Sequence, residues 1–169
     1  MYKLFIPILF IVGCGSVSSH PSGGVDTGAI LSAYNSRVND SLDAVYTARN
    51  RQWRNNWMRY ITVSKTCQVM ALGGIEKARA VIHNSLPKEL VSVELEVKYI
   101  KADGAEFDRS VINAGVVPAN YDKAVVLPDS PRGTSIDVEV TWITAPDFHF
   151  CYRRDGDYDL NSADPYYCK

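Results

Sequence analysis

From residue 90 onward, apolar residues recur at every second position. Val91, Val93, Leu95, Val97 and Tyr99 alternate with Ser92, Glu94, Glu96 and Lys98, the period of a strand with one buried face. Residues 134–144 repeat the pattern, with Ile136, Val138, Val140 and Trp142 on one side and Asp137, Glu139 and Thr141 on the other. Asp103-Gly104 is a hairpin signal and predicts a return strand over 105–112. Shorter strands are predicted over 123–127, closed by Pro128, and over 148–152.

Before residue 90 the steps are longer. Ile30, Leu31, Tyr34, Val38, Leu42, Val45 and Tyr46 recur three and four apart, with Ser32, Asn35, Asn39, Asp40 and Asp43 between them. That spacing predicts an amphipathic helix, with Asp26 or Thr27 as its cap and an apolar stripe that needs a partner surface. Trp53, Trp57 and Ile61 carry the four-residue step into the fifties. Residues 58–72 fit a strand through Ile61, Val63, Cys67, Val69 and Ala71 as well as a helix, until Gly73-Gly74 breaks them. Ile75, Ala78, Ala80, Ile82 and Leu86 then resume a helical spacing that Pro87 stops. The expected class is α+β: N-terminal amphipathic helices followed by an antiparallel β-sheet or a small β-sandwich. The helical part covers 26–86, the sheet part 90–153 and a tail 154–169, all in one domain.

The first residues follow neither pattern. Lys3 is followed by an apolar run from Leu4 to Val12, too short to cross a bilayer, and reads as a targeting segment. Ile11-Val12-Gly13-Cys14 then resembles the lipobox of bacterial lipoproteins. The resemblance implies cleavage after residue 13 and a diacylglyceryl group on Cys14, and Gly15 behind the cysteine implies export to the outer membrane. The alternative is an ordinary secretory signal cut later, with Cys14 lost. Residues 14–25, rich in Ser and Gly, read as a flexible tether between lipid and folded body.

Net charge is -1, which makes no general case for nucleic acid. The asymmetry is local. The run Arg49, Arg51, Trp53, Arg54, Trp57, Arg59 and Tyr60 contains no acid and is a candidate interface for an anionic headgroup, a glycan or an acidic protein surface. With Cys14 acylated, Cys67, Cys151 and Cys168 remain. The Cys151–Cys168 pair closes the smallest loop and leaves Cys67 free, while Cys67 bonded to either of the others is the alternative. Asp155, Asp157, Asp159 and Asn161 place oxygen ligands at every second position. They make a weak calcium candidate, because Leu160 stands where an EF-hand needs glycine and Tyr166 where it needs glutamate. A solvated acidic loop reads the same way.

Catalytic motifs are sparse. Asp147, His149 and Cys151 would share one strand face, but a disulfide would consume the nucleophile. His83 falls on the expected second helix. Paired acids Glu94 with Glu96, and Asp137 with Glu139, occupy exposed strand faces. The expectation is a non-enzymatic envelope lipoprotein facing the periplasm, held by covalent lipid without other cofactor, with a protein partner and no nucleic acid. A ligand-binding or inhibitor module, with or without a divalent ion, is the alternative, and a cell-wall hydrolase a more distant one.

Overall fold

A computed structural model describes residues 27–169. The targeting segment, Cys14, the tether and Asp26 lie outside the described residues. One α-helix, α1 (Thr27–Asn55), leads through a single 3-10 turn, Trp57–Arg59, into seven strands. These are β1 (Ile61–Val69), β2 (Ile75–Asn84), β3 (Ser92–Ile100), β4 (Glu106–Asn113), β5 (Tyr121–Val126), β6 (Ser135–Ala145) and β7 (Phe150–Arg153), with a second 3-10 turn at Pro146–Phe148. All pairings are antiparallel, in sheets ordered β1-β2-β5 and β4-β3-β6-β7. By contacts the chain divides into two units, Met1–Asn39 and Asp40–Lys169, with the division inside α1.

The helix stops where the sequence changes character. Asn56 caps back onto the carbonyl of Gln52 through both its backbone and side-chain N–H groups, at 3.1 and 2.9 Å. The β-branched run Ile61-Thr62-Val63 that follows favours an extended chain. The alternation in β3 is realised from Val93 on, with Val93, Leu95, Val97 and Tyr99 all buried, while Val91 lies ahead of the strand and is exposed.

Two expectations fail, and each fails at a bulge. Residues 75–86 were expected as a helix but form β2 and its exit. Thr66 pairs with Arg79, yet Gln68 pairs with Glu76, so Cys67 faces the two residues Lys77 and Ala78. The extra residue, with Lys77 at φ 52°, puts Ile75 and Ala78 on the same inner face three apart. A bulged strand thereby copies the first step of a helix. The chain therefore has one α-helix among the described residues and not the several expected. In β6, Trp142 was expected beside Ile136 and Val138. The register slips between Glu94–Trp142 and Leu95–Val140, the phase inverts, and Ile143 is buried while Trp142 faces water.

The inner faces of the two sheets meet in one apolar core. Ala78, Ala80 and Ile82 of β2 and Val93, Leu95 and Val97 of β3 belong to it, with Ile143, Phe148 and Phe150. The connections are held by satisfied polar groups, as burial requires. Buried Asn84 donates to the carbonyls of Lys88 and Pro118, both at 2.9 Å, and accepts from the Leu86 N–H at 3.1 Å. The Tyr99 hydroxyl donates to the Pro128 carbonyl at 2.5 Å.

In this arrangement Ile82 is sealed in the core while Leu42 on α1 is 50% exposed. Ile82→Ala is expected to cost about 2–5 kcal/mol, and Leu42→Ala no more than about 0.5 kcal/mol, both read by urea unfolding.

Candidate functional site

The basic aromatic run divides between core and water. Trp57 is 5% exposed and Arg54 3%, and Trp53 and Tyr60 pack against the core. Arg49, Arg51 and Arg59 are exposed. Trp57 lies 4.3 Å from the Tyr152 ring, and Trp53 meets Phe148 edge-on at 6.3 Å. The expected interface is thus in part a structural joint: Arg54 and Trp57 are buried, Trp53 and Tyr60 are half-buried against the core, and three arginines stay outside. Trp57 Nε1 has no acceptor among the described residues.

Arg54 is the centre of that joint. Its guanidinium forms a fork with the Asp164 carboxylate, Nε to Oδ1 at 2.9 Å and Nη2 to Oδ2, while Nη1 donates to the Phe148 carbonyl. The planar fork suits a bidentate carboxylate. Asn55 donates to the Ala163 carbonyl at 2.9 Å. The Cys151–Cys168 disulfide, with Cα atoms 5.6 Å apart, fastens the far end of the tail, and Cys67 is free. Within this clasp Tyr152 stacks on Tyr158 and Tyr166 meets both edge-on, with ring centroids 5.0–6.3 Å apart.

The acidic loop does not gather its oxygens. Among the described residues no group of three or more His, Cys, Asp or Glu side chains is placed to hold a metal ion. Asp155 sits 3.8 Å from Arg154, Asp159 accepts from the Asn161 N–H at 3.0 Å, and Asp164 is engaged by Arg54. These three carboxylates serve a turn or an arginine, and the carboxylate of Asp157 is not drawn together with them. The Asp147, His149 and Cys151 grouping fails as well, since the Cys151 sulfur is bonded to Cys168. His149 turns at φ 55° and its ring stacks on Tyr167 at 5.1 Å.

On the outer face of the four-stranded sheet, Glu96 of β3 is 3% exposed despite its position among polar residues. Arg154 grips it with Nη1 at 2.7 Å and Nη2 at 2.8 Å, and Arg109 adds a contact at 3.3 Å. Lys98 and Glu139 extend the network. The Arg154 hydrogen bonds, against the cost of burial, hold the Glu96 carboxyl down at about 2. Beside it, Arg153 lies over the Trp142 ring at 5.5 Å.

One constellation is not visible along the linear sequence. On the outer face of the three-stranded sheet, the Ser64 hydroxyl meets His83 Nε2 at 2.8 Å, and His83 Nδ1 meets the Asp122 carboxylate at 3.0 Å. His83 pairs directly with Asp122 across β2 and β5, and Ser64 lies diagonal to it on β1, opposite Val81. The residues are 64, 83 and 122, and only sheet register unites them. Had 75–84 been read as a strand, the two-residue step from Val81 to His83 would have put the imidazole on an open polar face.

No family model matches the chain, and no curated protein does. Among solved structures, a DUF1425 family member from Shewanella sp. pv-4 superposes with a TM-score of 0.37 at 19% identity, covering 47% of this chain and 75% of that one. At that level of likeness neither fold nor role is carried over.

The Glu96 network makes a directional prediction. A carboxyl depressed in the folded state stabilises the fold above its unfolded value of 4.5, and that contribution is lost as pH falls toward about 2. The melting temperature is therefore expected to drop between those limits. Glu96→Gln should flatten that part of the profile in thermal melts, and an unchanged slope would contradict the assignment.

Proposed function

We propose that this chain is a membrane-anchored envelope lipoprotein that works by binding, as an accessory or assembly subunit of an envelope complex. One observation carries the reading. The sandwich completes its own core, yet α1 leaves its apolar side chains in water. Ile30, Leu31, Tyr34 and Val38 are exposed in the first unit, as are Leu42, Val45 and Tyr46 in the second. Ahead of its last turn, the helix leaves these apolar side chains in water, a surface suited to a protein partner. The residues around Cys14 support the anchor, with covalent lipid as the only addition to the chain and the outer membrane, on its periplasmic side, as the place. Among the described residues no helix is long and apolar enough to cross a membrane, so attachment in this reading rests on the lipid.

The test is a paired substitution, Leu42→Glu with Val45→Glu, in the full chain. Both side chains are exposed, so thermal stability is expected to change by no more than about 0.5 kcal/mol. On native gels of detergent-solubilised envelopes, wild type should run in a larger complex that the variant has left. Retention of the variant in that complex would refute the role given to the helix.

A further inference from the structure

We propose that Ser64, His83 and Asp122 act as nucleophile, base and orienting acid, transferring short apolar acyl groups from activated carboxylic esters to water. This activity goes beyond the binding role. The order of atoms carries the assignment. Asp122 takes the Nδ1 side of the imidazole at 3.0 Å, which holds the proton there and leaves the Nε2 lone pair facing the Ser64 hydroxyl at 2.8 Å. That is the polarity a serine nucleophile requires, and it is recognised by geometry and not by order in the chain.

The surroundings supply the remaining parts. Ser64 stands opposite Val81, so the two diagonal positions beside it on β2 are His83 and Arg79. Diagonal neighbours in a sheet lie about 7–8 Å apart, within reach of a long guanidinium. Arg79 is exposed and has no ion-pair partner among the described residues. It is placed to meet negative charge developing on a carbonyl oxygen. Val81 pairs with Ala124 and Arg79 with Val126, and Val126 is 74% exposed. A small apolar strip thus lies beside the relay, suited to a short acyl chain. The face is open, which favours unhindered esters with good leaving groups.

The chemistry balances without a co-reactant other than water. Ser64 Oγ bonds to the ester carbonyl carbon as its proton passes to His83 Nε2. The bond from that carbon to the leaving oxygen breaks, and His83 returns the proton to the departing alcohol. Water then attacks the acylated serine and gives a proton to His83. Ser64 leaves with that proton and the carboxylic acid is released.

The full chain in detergent is treated with diisopropyl fluorophosphate and mapped by peptide mass spectrometry, and separately assayed for 4-nitrophenyl acetate hydrolysis. The adduct is expected on Ser64. Hydrolysis should fall by about 100-fold or more in both Ser64→Ala and His83→Gln, the size of a general-base contribution, and by a smaller factor in Asp122→Asn. All three positions are on an open face, and circular dichroism verifies that each variant is folded. No Ser64 adduct, an adduct indifferent to His83→Gln, or hydrolysis unchanged in Ser64→Ala would each overturn the proposal.

Discussion

The constraint on which everything else rests is that β2 and β3 each have one apolar face, and both faces must be buried in one core. Ala78, Ala80 and Ile82 on one side and Val93, Leu95 and Val97 on the other are all buried in a common core. Apolar burial of this kind is the dominant favourable term in folding. Once it is satisfied, the outer faces are free to carry polar chemistry: Ser64, His83 and Asp122 on one sheet, and the Glu96 network on the other. The chain needs nothing from α1 to close this core except its last turn.

That last turn is where a buried charge is tolerated. Arg54 and Asp164 are separated by 110 positions in sequence and hold the helix end to the C-terminal tail. A desolvated guanidinium is costly unless its donors are met, and here a carboxylate and the Phe148 carbonyl meet them. The disulfide between Cys151 and Cys168 and the tyrosine stack close the same clasp from the other end. The aromatic and basic residues of the fifties therefore fasten the last turn of the helix to the sandwich.

Much of this was legible in the residues. The strict alternation of β3, the Asp103-Gly104 turn, the return strand β4 and the pairing of Cys151 with Cys168 follow from period and loop length. What was not legible came from register. A bulge at Lys77 gave β2 a helical first step, and a slip beside Glu94 turned Trp142 outward. Period counting assumes an unbroken phase, and a single inserted residue defeats it. The Ser64, His83 and Asp122 group was hidden for the same reason, since it exists only when three strands are laid side by side. The burial of Trp57 and Arg54 was hidden too, because a run rich in arginine and tryptophan reads alike as a patch or as a joint until the tail is in place.

The proposed role, a binding domain held to a membrane by lipid, is tested most directly at the mature N-terminus. Mass spectrometry of the protein taken from native membranes is expected to find a chain beginning at Cys14 with acyl groups on that residue. A chain beginning after residue 14, with no lipid, would contradict the account and leave a freely diffusing domain in its place.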